Sequence, residues 1–262
     1  MGVDSLPEWV TLLVAPNPGP MTLDGTNTWV LRASRNLEAI IIDPGPQDDG
    51  HLADIAACSP VSSILITHGH HDHVEGAAKL SRLLGGVPVR AADPQHCINA
   101  DPLTAGMLAE AGLEIEVLPA PGHTADSVCF LANEAVFSGD TILGRGTAVV
   151  AWPDGDLGAY LRTLELLSAY PRLLLPGHGP ALSDCAAVAR TYLAHRRERL
   201  TQVRAALAAG ADTPAAVVDD VYPDIDPKLR SAAEWSVRAQ LAYLEEGLGR
   251  ESLAGPEQLD PL

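Results

Sequence analysis

Residues 63–76 read SILITHGHHDHVEG, and four histidines and an aspartate fall within the six positions 68–73, directly after the apolar run Ile64, Leu65, Ile66. An internal cluster behind a buried strand is no purification tag. His68, His70, Asp72 and His73 fit the pattern HxHxDH. In a strand-to-loop turn this spacing lets His68 and His70 share one metal ion while Asp72 and His73 turn toward a second. His71 stands at the variable position and is expected to be no ligand. Single histidines and aspartates recur downstream: His123 in PGHT, Asp140 in FSGDT and His178 in LLLPGHGP. Each lies in a glycine-rich loop or at the end of an apolar run, where a rigid sheet aims side chains at one point. The lone histidines His51, His96 and His195 read as solvated or hydrogen-bonded residues.

The elements that must position these side chains show up as short apolar runs. Strands are predicted at Val10–Val14, Thr28–Leu31, Ala39–Ile42, Ile64–Ile66, Val87–Arg90, Ile115–Leu118, Val128–Leu131, Ala135–Phe137 and Leu173–Leu175. Helical patterns lie between them at Leu52–Cys58, Val74–Leu84 and Leu157–Ala169, the last capped by Asp156. Strands alternating with helices imply a layered α/β domain, placed at residues 1–195. A long helix is predicted from an N-cap at Ser183 to a stop at Gly210, with Val188, Tyr192, Leu200, Val203 and Leu207 as its apolar stripe. Thr213-Pro214 and Asp226-Pro227 each start a further helix, the second ending at Gly247. Residues 196–262 thus read as a small helical appendage.

A chain of 262 residues with 47% hydrophobic content can bury a sizeable core. The opening MGVDSLPEWV has neither a basic nor an apolar targeting region, and no stretch nears 18 apolar residues, so no export signal and no membrane span are expected. Four dispersed cysteines, Cys58, Cys97, Cys129 and Cys185, fit reduced thiols in a cytoplasmic protein. The net charge is −17, with 9 Lys+Arg against 22 Asp+Glu in residues 1–195 and 8 against 12 in 196–262. Neither part offers a basic face, which disfavours a non-enzymatic nucleic-acid binder.

The seven residues, in this order, resemble the metallo-beta-lactamase fold superfamily of hydrolases. The resemblance implies an αββα sandwich with metal ions at one rim of the sheets. It assigns His68, His70 and His123 to one zinc ion and Asp72, His73 and His178 to the other, with Asp140 bridging and Asp43 of IIIDPG orienting a ligand histidine. The cofactor expected is two Zn²⁺ per chain, with manganese or iron also compatible with nitrogen and oxygen donors. Such a pair lowers the pKa of bound water to about 7 and supplies a bridging hydroxide nucleophile, with Asp72 able to accept a proton. Asp140 and the missing export signal disfavour a beta-lactamase.

A closer likeness covers NPGPMTLDGTNTWV (17–30), FSGDTILGRGT (137–147), LLPGHGPAL (174–182) and YLAHRRERL (192–200). These stretches resemble the beta-lactamase-like-protein-two family of endoribonucleases, which implies a winged-helix-like C-terminal domain at 196–262 and RNA as first substrate. Asn27 or Thr28 of GTNT, and Arg196 and Arg197 beside Arg199, are the expected substrate contacts. Thioesters of glyoxalase II or acyl-carrier type are the alternative, and lactones a lesser one. The acidic charge and 4% aromatic content leave little for binding single-stranded bases.

Overall fold

Ile40, Ile41 and Ile42 are all fully buried, although neighbouring residues of a strand point to opposite faces. Both faces of this strand are therefore covered, the condition for a layered α/β architecture. The structure is a computed structural model that describes residues 3, 5–34 and 37–253, without the side chains of 247–253.

The first sheet has the order β1 (Val10–Val14), β2 (Asn27–Leu31), β3 (Ala39–Ile42), β4 (Val61–Leu65), β5 (Val89–Arg90). Its first three strands pair antiparallel. Helix α1 (Asp49–Ala56) carries the chain back so that β4 lies parallel to β3. Two short helices, α2 (His71–Val74) and α3 (Ala77–Leu83), lead to β5, again parallel. The second sheet starts with the antiparallel meander β6 (Gly106–Glu110), β7 (Leu113–Pro119), β8 (Val128–Ala132), β9 (Ala135–Gly139). Helix α4 (Leu157–Leu167) then crosses to β10 (Leu173–Pro176), parallel to β9.

Alternation sorts the side chains into three cores. Trp29, Ile40, Ile42 and Leu65 face Ile115, Phe130, Phe137 and Leu175 between the sheets. Ile41 and Ile64 pack outward on Leu52 and Ile55 of α1 and Leu80 of α3. On the far side Leu131, Val136 and Leu174 meet Tyr160 and Leu164 of α4, and this core continues into the last three helices. Those are α5 (Cys185–Ala208), α6 (Pro214–Val221) and α7 (Arg230–Leu253). The layers are helix, sheet, sheet, helix, as the resemblance implied. Each buried Ile, Leu or Phe contributes about 1.5–3 kcal/mol.

Several expected boundaries shift. Asp184, not Ser183, caps α5, accepting from the Ala187 amide at 3.0 Å. The helix expected over 74–84 is divided at Gly76, where a Cβ would lie 2.8 Å from Leu52 and 3.0 Å from two backbone oxygens. β6 was not foreseen, because this edge strand is largely exposed and carries no alternating apolar pattern. α7 continues past Gly247 to Leu253, and a 3₁₀ turn at Pro227–Leu229 precedes it. The described residues of 196–253 are helix and loop, with no β wing among them. Among the described residues no helix is long and apolar enough to cross a membrane.

Candidate metal centre

β3 and β4 are parallel, as are β9 and β10, and the antiparallel steps β7 to β8 to β9 make β7 run with β9. Loops leaving these strands at their carboxyl ends gather at one rim, where α/β folds place their sites. Asp43 follows β3, His68 follows β4, His123 follows β7, Asp140 follows β9 and His178 follows β10. His70 sits at the N-cap of α2, and Asp72 and His73 lie in its single turn.

The seven side chains form three overlapping groups whose donor atoms lie within 4.8 Å of one another: His68, His70, His123; His68, His73, Asp140; and Asp72, His73, His178. His70 Nδ1 is 3.1 Å from both His68 Nε2 and His123 Nε2. His178 Nε2 is 3.1 Å from Asp72 Oδ2 and 3.4 Å from His73 Nε2. Asp140 reaches both sets, with Oδ2 3.3 Å from His178 and 3.8 Å from His123, and Oδ1 3.5 Å from His73. Ligand atoms about 2.0–2.1 Å from a tetrahedral ion stand about 3.3 Å from each other, so these spacings fit shared ions.

The outward sides of the rings decide their proton placement. His123 Nδ1 donates to the Val149 carbonyl at 2.8 Å and His178 Nδ1 to that of Gly25 at 3.0 Å. His73 Nδ1 donates to Asp43 Oδ2 at 2.7 Å. Thr67 Oγ1 donates to the same oxygen at 2.7 Å, which leaves it to accept from His68 Nδ1 at 3.0 Å. His70 turns Nε2 toward Asp154, 3.5 Å away. Each ring thus uses its far nitrogen outward and presents a lone pair inward. Five inward ring nitrogens and two carboxylates at these spacings make a donor set for cations. Asp140 Oδ1 is buried and has no hydrogen-bond partner among the described residues. The residues present fit a metal pair.

Without ions the cluster is electrostatically divided. Burial pushes the pKa of His68 and of His123 down. Burial has the same effect on His73 and His178, but Asp43 and Asp140 hold His73 well above the usual histidine range, and Asp140 and Asp72 lift His178 to about 9. Burial would raise both carboxylates, yet His178 and His73 hold Asp72 at about 2 and Asp140 well below its ordinary value.

Backbone close to the centre is equally constrained. A Cβ on Gly177 would meet Asp140 Oδ1 at 2.4 Å and His73 Cε1 at 2.8 Å, so only glycine lets this loop carry His178 into place. The Metallo-beta-lactamase superfamily, as a sequence family, matches residues 21–96 and 89–178. The chain belongs to this superfamily.

Among similar proteins of the metallo-beta-lactamase superfamily, the "Beta-lactamase-like protein 2 homolog" of Drosophila melanogaster is 32% identical over 98% of this chain and 94% of its own. An "Atrochrysone carboxyl ACP thioesterase" of Aspergillus fumigatus is 30% identical over 84% of this chain and 75% of its own. A solved metallo-beta-lactamase family protein from Thermus thermophilus superposes with a TM-score of 0.77 at 22% identity, covering 93% of this chain and 95% of that one.

In this superfamily member His71 is exposed and belongs to none of the three groups. Asn27 is buried, and its side chain donates to the carbonyls of Pro176 and Gly179 at 2.9 and 2.8 Å, bracing the His178 loop. Thr28, also buried, donates to the Asp43 carbonyl at 2.6 Å. These positions support loops and do not face the cleft as expected. The three arginines do not share a solvent face: Arg196 is only 5% exposed, while Arg197 is exposed and pairs with Glu165 at 3.0 Å. Sequence reasoning passed over Thr26, whose hydroxyl donates to Asp72 Oδ2 at 3.0 Å, and Thr67, though both stand beside named motif residues. Asp154 carries no sequence signal and reaches His70 through the fold alone.

Proposed function

We propose that this chain is a dinuclear metal-dependent hydrolase acting on small acyl thioesters, with His68, His70 and His123 holding one ion, Asp72, His73 and His178 the other, and Asp140 between them. The convergence of five outward-anchored imidazoles on two carboxylates carries this reading. Zinc fits the donor set, and manganese or iron would also be accepted. When bound, such a pair activates water at neutral pH and polarises the scissile carbonyl.

The chain's own residues supply the rest. Asp43 fixes the His73 ring directly and the His68 ring through Thr67. Val149 and Gly25 fix the tautomers of His123 and His178 through their carbonyls. Asp72 is the more open carboxylate, its side chain 28% exposed against 12% for Asp140. Ionised and steadied at Oδ2 by Thr26, it is placed to take a proton from the reacting water and return it to the departing thiolate.

Electrostatics disfavour RNA as the substrate. An RNA surface was expected from Arg196, Arg197 and Arg199, but Arg196 is buried and Arg197 is neutralised by Glu165, in a chain of net charge −17. RNA phosphodiester cleavage is the second reading, favoured by likeness along nearly the whole chain to a beta-lactamase-like protein 2 homolog. Residues 196–262 are assigned to an appended module beside a catalytic domain of 1–195, and the protein to the cytoplasm. A screen of metal-loaded protein against acyl thioesters, single-stranded RNA and lactones tests the reading. Thioester turnover abolished by a chelator is expected; RNA cleavage without thioester turnover would overturn it.

A further inference from the structure

A cavity of about 360 Å³ adjoins the metal centre, with His123 and Asp140 in its wall. α5 and α7 close it from one side, and the loops around Met21 and Thr147 from the other. Met21, Leu23, Leu143, Ile225 and Leu229 give it an apolar body. Its charged lining has the opposite sign to the rest of the protein. The chain holds 34 Asp+Glu against 17 Lys+Arg, yet this cavity is lined by Arg145, Arg196 and Arg199, with Asp140 as the one carboxylate among the lining residues.

Arg145 is paired with Asp24. Neither Arg196 nor Arg199 has a carboxylate within 4.0 Å among the described residues. Neutral groups hold them instead. Arg196 donates to the Ala148 carbonyl and lies over the Tyr160 ring, 5.2 Å from its centroid. Arg199 lies 4.3 Å over the Tyr222 ring and donates to Val221 O at 3.0 Å and Gln202 Oε1 at 2.7 Å. The Nε atoms of both, and Nδ1 of the adjacent His195, are buried without a hydrogen-bond partner among the described residues. Withdrawing a cation from water without a counter-charge is costly, whereas one that serves only packing is ordinarily neutralised by an acid. Neutral partners that fix the guanidinium planes and leave the charge free make a preorganised anion site.

We infer that this cavity binds the acyl part of the substrate and that Arg196 and Arg199 select an acyl chain with an apolar body ending in a carboxylate. The inference rests on the thioester reading above. The volume suits a short chain with an apolar body. The thioester carbonyl would then lie at the metal end, beside His123 and Asp140, with the carboxylate at the α5 end.

The test compares two N-acetylcysteamine thioesters of matched length, hexanedioyl and heptanoyl, on metal-loaded protein. The wild type is expected to favour the hexanedioyl ester in kcat/KM, and Arg199→Gln to reduce that preference about 10- to 100-fold, with Arg199→Lys in between. A second measurement does not depend on turnover: NMR titration of wild-type protein with hexanedioate should shift the side-chain Nε resonances of Arg196 and Arg199. Equal use of both esters, a preference unchanged in Arg199→Gln, or arginine signals unmoved at saturating hexanedioate would each overturn the inference. If neither ester is hydrolysed by protein carrying two ions, the thioester reading fails, and the NMR titration still decides the cavity.

Discussion

Replacing Asp43 by asparagine isolates the orienting role of one buried carboxylate. Asp43 accepts three hydrogen bonds, from the Thr67 amide at 2.8 Å, the Thr67 hydroxyl at 2.7 Å and His73 Nδ1 at 2.7 Å. Its φ of +52° lies in the left-handed region, which asparagine tolerates as well as aspartate, so the backbone need not move. The amide, however, replaces one acceptor oxygen by a donor. If that NH₂ faces Oδ2's partners, it opposes both the His73 N–H and the Thr67 hydroxyl; if it faces the other way, it opposes the Thr67 amide. His73 can relieve the first conflict only by moving its proton to Nε2, the nitrogen that points at the other ligands. A lost charge-assisted hydrogen bond of about 1.5–3 kcal/mol, or the usual cost of removing a carboxylate behind a ligand histidine, corresponds to about 10- to 100-fold in metal affinity. Chelator competition on folded Asp43→Asn protein, checked by circular dichroism, measures it. Affinity for both ions within about threefold of wild type would refute the relay from Asp43 to His73 and His68.

Further expectations follow from the same geometry. Asp140→Ala should lower turnover by several orders of magnitude while the variant stays folded, whereas exposed His71→Ala should change kcat/KM less than about twofold; steady-state kinetics on both checks the assignment. Metal uptake should release protons, because His178, held at about 9 in the ion-free protein, must give up its proton to bind; affinity should rise with pH up to about 9, and a flat profile from pH 6 to 8 would contradict this. The same raised value stabilises the ion-free fold fully below pH 6.5, and that contribution is lost as pH rises through about 9, so the Tm of stripped protein should fall over this window. Asp72, held at about 2, acts in the opposite sense, its contribution present above pH 3.8 and lost as pH falls through about 2. Arg196→Glu should destabilise the fold by about 3 kcal/mol or more by burying a carboxylate against the Ala148 carbonyl, while Arg197→Glu should alter stability by less than about 1 kcal/mol; thermal melts separate the two.

The histidine cluster was legible because its spacing is tied to the end of an apolar run, and β3, β8 and β9 were legible because both of their faces are buried. β6 was not, since a half-exposed edge strand has no hydrophobic period to read. Arg196 was legible in principle: it stands four residues after Tyr192 and four before Leu200, on the buried stripe of α5, which argues against a solvated face. For Arg196, within the cluster Arg196, Arg197 and Arg199, helical position is a stronger signal than charge. Asp154 and the cavity could not be read from the chain at all, because loop 150–155 reaches His70, and α5 and α7 come to line one cavity with Asp140, only through the packing of distant segments.

The proposed centre takes two ions, because seven donor side chains exceed the four positions of a single tetrahedral ion. Native mass spectrometry of chelator-stripped protein during a zinc titration addresses it directly. Saturation at a mass increment of two ions per chain is the expected result; saturation at one ion, or no specific uptake, would contradict the account.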